Sequence, residues 1–262
     1  MARIHPSAII DPGAELAEEV RVGPFCVIGP DVAIDSGTSI ESHVVITGHT
    51  RIGRNNRVYS FCTLGEIPQD KKYAGEPTEL VIGDGNTIRE FSSLNAGTMQ
   101  GGGVTRVGSD NWIMSYVHIA HDCSIGDHTV LANLAQLAGH VSIGDWAVLG
   151  GMVGVHQFVR IGAHVMCGGG STLVQDVPPF VLCRGSPAAP FGINAEGLQR
   201  RGFDESTIAA LKRAYRSLFR DGLTLAQARE AIQSGGEPGS AAAAALAQLS
   251  EFLAVPGRGI IR

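Results

Sequence analysis

Four histidines, an aspartate and a glycine fall in one stretch of this 262-residue chain: His118, His121, Asp122, Gly139, His140 and His156, with Gln157 beside the last. Imidazole titrates near neutral pH, so a histidine oriented by a carboxylate can take a proton from a hydroxyl. A glycine can offer its backbone N–H to a developing oxyanion with no side chain in the way. His121, Asp122 and Gly139 have the residue types for that chemistry. Imidazoles are also common zinc ligands, so the same cluster could hold a metal. Exposed polar corners of a fold would account for any one of the residues alone.

Spacing is what gathers these residues. Aliphatic side chains recur every sixth position from Ile4 through Ile10, Leu16, Val22, Ile28 and onward to Leu64. The run returns at Ile82, Ile88 and Leu94. It re-phases at Val107 and continues through Ile119, Ile125, Leu137 and Ile143 to Leu173. Neither a helix nor a simple strand has this period; a hexapeptide-repeat parallel β-helix does. Three hexapeptides close one turn of a triangular prism, so residues eighteen apart are stacked neighbours, about 4.8 Å apart. Eighteen positions carry His121 to Gly139 and Asp122 to His140, and thirty-six carry Ala120 to His156. The cluster therefore shares one edge of the prism, within on the order of 10 Å.

The bulk composition agrees. Charged residues are few (17%) and glycines many (35), as short strands and tight turns require. Glycine often follows the repeat aliphatic, as at Gly83, Gly108 and Gly126, and is expected to supply the sharp turn there. A net charge of −5 leaves no footprint for nucleic acid. No apolar run is long enough to span a membrane. The N-terminus lacks the apolar core of a signal peptide, so a cytoplasmic location is expected. Cys26, Cys62 and Cys123 sit two residues before a ladder aliphatic and Cys167 replaces one, which points to packing rather than disulfides or a thiolate metal site.

Residues 1–187 are expected to form the prism and 188–262 a small helical domain that covers its open end. Asp204 and Thr224 are placed to cap helices, and the alanine-rich stretch after Gly239 suggests a third. Two interruptions are expected to protrude as loops, residues 65–79 and 95–106. The first carries charges where the ladder requires apolar residues, at Asp70 and Glu76. Its length suggests function.

HIAHD (His118–Asp122), LAGHV (Leu137–Val141), GGMVGVHQF (Gly150–Phe158), QDKKYAGEPT (Gln69–Thr78), TMQGGGVTRVGSDN (Thr98–Asn111) and INAEGLQRRGF (Ile193–Phe203) together resemble the UDP-N-acetylglucosamine O-acyltransferases. The resemblance covers essentially the whole chain. It implies an all-β, left-handed parallel β-helix with a small C-terminal α-helical domain. The usual rule for parallel crossovers would give the opposite hand.

The implied reaction moves an (R)-3-hydroxyacyl group from acyl carrier protein to the 3-hydroxyl of UDP-N-acetylglucosamine, the first step of lipid A biosynthesis. His121 matches the general base, Asp122 its orienting carboxylate and Gly139 the oxyanion donor. Gln69, Asp70, Lys72, His118, His140, His156, Gln157, Asn194, Glu196 and Arg200 match substrate-binding positions. Gly169 matches the acyl-length position, where glycine leaves room for a long, myristoyl-class chain. A homotrimer with sites between prisms is implied, with no metal or other cofactor. Asn95 and Ser186-Pro187 depart from the family pattern. On the residues alone, two other readings stand: a metal-binding prism like the gamma-class carbonic anhydrases, and a carrier-protein binder docking through Arg160 and Arg184.

Overall fold

The computed structural model describes residues 2–255 and 257–262. Two-residue strands such as His118–Ile119, Ser124–Ile125 and Val130–Leu131 succeed one another around a triangle. Each pairs in parallel with the strand one coil away, giving three sheets of eleven, nine and eight strands. Register is eighteen in the regular coils, for example His118 opposite Gln136 and Ile119 opposite Leu137. The three sheets are called here the first, second and third faces, beginning with Arg3–Ile4, Ile9–Ile10 and Glu15–Leu16.

One residue of each strand points inward. Ile46, Leu64, Leu94, Ile119 and Leu137, stacked on the second face, are fully buried in a continuous aliphatic ladder. Fully burying such a side chain stabilises by about 1.5–3 kcal/mol, so the ladder holds the coils together with no globular centre. Ile4, in the first coil, has no coil beneath it and stays 43% exposed. All five cysteines are buried and free.

The turns differ from the expectation. Gly83, Gly108 and Gly126, after their ladder aliphatics, do not adopt left-handed backbone; the residue three positions before the aliphatic does. Phe61, Tyr116, Asp122, His140 and Trp146 all have φ near +60°. The glycines serve close approach instead. A Cβ on Gly83 would come within 2.7 Å of the Gly108 carbonyl oxygen, and one on Gly108 within 2.6 Å of that of Gly126. The left-handed corner costs roughly 1 kcal/mol or more per non-glycine residue. Stacking along the corner offsets it, as where Phe61, Phe91 and Tyr116 lie ring over ring about 5 Å apart.

Both interruptions leave from the edge between the second and third faces. The strands Thr63–Glu66 and Glu79–Ile82 bracket the first, so Gly65, Glu66 and Glu79 belong to the prism. Glu79 pairs with His49, thirty positions back rather than eighteen, so the loop is a twelve-residue insertion at one corner and not a lost coil. Glu79 pairs onward with Val104, twenty-five positions on, which makes the second a seven-residue insertion. It contains a 3-10 turn, Met99–Gly101.

The first face continues past the last repeat into an antiparallel hairpin of Val181–Gly185 and Ala188–Ile193, which the six-residue period does not foretell. Four helices follow. The expected caps are in place: Asp204 accepts from the Thr207 N–H for α2 (Glu205–Phe219), and Thr224 forms a capping box with Gln227 for α3 (Leu225–Gln233). Ser240 caps α4 (Ala241–Ala254). A short α1 (Ala195–Arg200), capped by Asn194, opens the helical unit. The C-terminal segment is tied back by a buried ion pair. Arg160 donates to Asp176 at 2.7 Å and to the carbonyl of Val255 at 2.9 Å, and the Asp176 N–H donates to Gly259. Arg160 is thus an internal clasp, which removes it as a docking cation.

Candidate active site

The edge between the second and third faces carries, coil by coil, the first loop, the second loop, His121-Asp122, Gly139-His140 and His156-Gln157-Phe158. The period thus brings together what the sequence suggests, and the two insertions rise from the coils next to the cluster. His140 donates its backbone N–H to the carbonyl of His121 across the coil boundary (3.0 Å), fixing the stacking of the two corners.

His121 Nδ1 lies 2.8 Å from Asp122 Oδ2. The Asp122 side chain is 0% exposed and that of His121 14%. A carboxylate so placed holds the imidazole in the tautomer with the proton on Nδ1 and leaves Nε2 free to accept. Gly139 sits against the ring. A Cβ there would lie 2.5 Å from His121 Cε1 and 2.7 Å from Nε2. The Gly139 N–H has no acceptor among the described residues. An unpaired N–H beside a free imidazole nitrogen suits a donor reserved for an oxyanion.

His140 lies edge-on to His121, centroids 5.1 Å apart, with Nε2 3.7 Å from Asp122 Oδ2. Phe158 stacks on its other side at 4.3 Å. Burial pushes the His140 pKa below the usual value, only partly opposed by Asp122 and by Asp70 of the first loop. Asp70 therefore comes near enough to be felt at the cluster. Its carboxylate accepts from the Lys72 N–H at 2.9 Å, shaping the loop, while Gln69 and Lys72 project into solvent. His118 bonds Ser93 Oγ through Nδ1 (2.8 Å), and burial lowers its pKa. His156 and Gln157 are exposed, two coils above Ala120 and one above Gly139.

Two residues of the second loop escaped the sequence reading. Thr98, 1% exposed, donates to Asp122 twice, through N–H to Oδ1 (2.7 Å) and through Oγ1 to Oδ2 (2.6 Å). Gly101 passes so close that a Cβ would overlap the Asp122 carboxylate. Only the glycine run in TMQGGG hints at such an approach. Donor atoms of His121, Asp122 and His140 lie within 4.8 Å of one another, a spacing open to a metal ion. Yet Asp122 is already committed to Thr98 and His121, which favours the acid–base arrangement.

Comparison with known proteins decides the family. The hexapeptide-transferase model matches residues 13–48 and 105–139, and "Udp N-acetylglucosamine O-acyltransferase; Domain 2" matches 176–261. A curated acyl-carrier-protein–UDP-N-acetylglucosamine O-acyltransferase of Thiobacillus denitrificans is 57% identical over 262 residues, all of both chains. One from Halorhodospira halophila is 61% identical over 232 residues, covering 88% of this chain and 90% of that protein. The chain belongs to the UDP-N-acetylglucosamine O-acyltransferase family. The solved LpxA of Acinetobacter baumannii superposes with a TM-score of 0.94 at 47% identity, covering 99% of each chain. The UDP-N-acetylglucosamine acyltransferase of Arabidopsis superposes at 0.85 with 33% identity, covering 99% of this chain and all of that one. The prism is accordingly the left-handed parallel β-helix with a helical C-terminal unit.

Not every residue that resembles the family's substrate contacts lies at His121. Asn194, Glu196 and Arg200 line a cleft of about 880 Å³ against the first face, with His128, Trp146 and Phe191. That cleft lies at a different edge of the prism. Asn194 is buried, donating to the carbonyl of His164 (2.9 Å) and capping α1, while Glu196 and Arg200 pair on the surface at 3.5 Å. Gly169 stands on a third edge, exposed, where a Cβ would meet the Gly151 carbonyl at 3.2 Å. Asn95 is buried and its amide N–H holds the carbonyl of Ile67 at 2.8 Å, anchoring the base of the first loop. No helix among the described residues is long and apolar enough to cross a membrane.

Proposed function

We propose that this protein transfers an (R)-3-hydroxyacyl group from acyl carrier protein to the 3-hydroxyl of UDP-N-acetylglucosamine, opening lipid A biosynthesis, with His121 as general base. The observation that carries the proposal is the Asp122–His121 pair, 2.8 Å apart, with the unpaired Gly139 N–H one coil above. His121 Nε2 takes the proton of the sugar hydroxyl as its oxygen attacks the thioester carbonyl. The tetrahedral oxyanion accepts from the Gly139 N–H. The C–S bond then breaks, and the imidazolium returns its proton to the departing thiolate of the carrier. The products are the O-acylated sugar nucleotide and the free thiol of the carrier.

Binding is assigned to groups around this pair. Asp70 and Lys72 on the first loop, with Gln69, receive the sugar and diphosphate, for which an ammonium is an apt point charge. His118, His140, His156 and Gln157 line the edge. The nucleotide contacts Asn194, Glu196 and Arg200, and Gly169 leaves the acyl path open to a long chain. These positions occupy separate edges of one prism, which supports a homotrimer whose sites form between neighbouring chains.

The test is acyl transfer with a series of 3-hydroxyacyl carrier proteins and UDP-N-acetylglucosamine. The expected result is a sugar ester, formed faster from a fourteen-carbon than from a ten-carbon donor. Absence of transfer from every donor would overturn the reaction, and a clear ten-carbon preference would overturn the role of Gly169.

A further inference from the structure

We infer that Thr98 is a positioning residue for the His121–Asp122 pair: its hydroxyl shares Asp122 Oδ2 with the imidazole and so sets both the direction and the strength of the carboxylate's hold on the base. The inference rests on the general-base reading of His121 and extends it to a residue of the second loop.

The geometry is specific. Asp122 has two oxygens and no solvent. Oδ1 accepts from the Thr98 N–H at 2.7 Å. Oδ2 accepts from Thr98 Oγ1 at 2.6 Å and from His121 Nδ1 at 2.8 Å. One residue thus grips both carboxylate oxygens, fixing the plane of the group. A carboxylate free to turn about its Cβ–Cγ bond would not hold the imidazole in a single orientation. The hydroxyl is itself held, since Thr98 Oγ1 accepts from the Gly101 N–H at 3.3 Å, and its one proton is thereby directed at Asp122. The loop closes this tightly because Gly101 has no Cβ to meet the carboxylate, and the Gly103 N–H donates back to the Thr98 carbonyl at 2.8 Å. The corner is braced from below as well, where the Asp122 N–H donates to Thr105 Oγ1 at 2.8 Å.

The hydroxyl also has an electrostatic consequence. A hydrogen bond donated to an anion stabilises its charge, and the anion then attracts a neighbouring imidazolium less. With the Thr98 hydroxyl removed, Oδ2 is shared with no second donor. His121 protonates more readily, and the base is lost at higher pH. The titratable groups around His121 are Asp122 on its own corner, His118 on the preceding strand and His140 on the next coil, with Asp70 of the first loop acting on His140. Cys123, behind Asp122, is pushed up to about 12 by burial and stays a neutral thiol through the working range. All of these persist when Thr98 is changed, so a shift in the acid limb reports the hydroxyl.

Thr98→Val keeps the branched shape and the backbone N–H and removes only the donor. Thr98→Ser keeps the donor and removes a methyl. The experiment compares kcat, KM and the pH profile of kcat/KM for wild type and both variants, with thermal melts to verify folding. The expected result is a fall in kcat of at least about tenfold for Thr98→Val with little change in KM. Its acid limb moves to higher pH, while Thr98→Ser stays within about threefold of wild type on the original profile. A Thr98→Val profile that superposes on wild type would overturn the inference. So would a Thr98→Ser enzyme as impaired as Thr98→Val, because the loss would then belong to packing of the loop. Failure of wild type itself to transfer an acyl group would instead overturn the reading of His121.

Discussion

A Cβ added at Gly139 would lie 2.5 Å from Cε1 of His121. Gly139 is not in the left-handed region, so backbone strain is no obstacle to alanine there. The atoms that must yield are ring atoms of a side chain, not backbone. The cost therefore falls on the imidazole and its alignment with Asp122 rather than on the fold.

Gly139→Ala is accordingly expected to lose at least about tenfold in kcat, since displacing a reacting group by about 1 Å can cost two orders of magnitude. Its melting temperature should stay within a few degrees of wild type. Steady-state kinetics and a thermal melt on one preparation check this. An active Gly139→Ala enzyme would show that the ring does not occupy that space during turnover.

Arg160→Met gives the opposite pattern. Asp176, 1% exposed, would lose its guanidinium and stay buried, and the carbonyls of Phe252 and Val255 would lose a donor. Breaking one side of a buried pair costs about 3–5 kcal/mol, and the partial exposure of Arg160 places the expectation at the lower end, ~3 kcal/mol. Denaturant unfolding should show that loss, and proteolysis should attack residues 257–262 first. Transfer activity of the folded fraction should be retained.

Acid should weaken the protein partly through His164. Burial, and then the neighbouring Arg201, push its pKa down to about 4. The fold therefore prefers the neutral ring and binds fewer protons than the unfolded chain. This group's contribution is fully present above about pH 6.5 and is lost as pH falls from there towards 4. The drop in unfolding midpoint between pH 7 and pH 5 should be smaller for His164→Gln than for wild type. Equal drops would contradict the assignment.

The separation of His121 from Arg200 on one prism leads to a mixing experiment. His121→Ala and Arg200→Ala should each be impaired alone. If each site takes His121 from one chain and Arg200 from its neighbour, random co-assembly restores intact sites at about a quarter of positions. Co-expressed variants should then regain activity well above either parent. Absence of any gain would place both residues in one chain's site.

Much of this was legible in the sequence because a β-helix turns counting into geometry. The number eighteen linked His121 to Gly139 and Asp122 to His140, and both links are one-coil neighbours in the prism. Where the period failed, legibility failed too. Thr98 reaches Asp122 through a loop whose path depends on its own turn and hydrogen bonds, not on a repeat. The role of the glycines after the ladder was not legible, because a glycine reports either an unusual φ or a close approach, and the sequence does not say which. The hairpin Val181–Gly185 with Ala188–Ile193 and the short helix α1 lie beyond the repeat, where local signals of a few residues compete weakly with tertiary packing.

The central claim is that His121, held by Asp122, takes the proton from the acceptor hydroxyl. His121 is a corner residue outside the aliphatic ladder, so its loss spares the prism. The decisive measurement is the acyl-transfer rate of His121→Ala with saturating 3-hydroxyacyl carrier protein and UDP-N-acetylglucosamine, beside its thermal melt. The account expects a loss of about two to four orders of magnitude in rate with the melt unchanged. A folded His121→Ala enzyme that transfers acyl groups near the wild-type rate would contradict it.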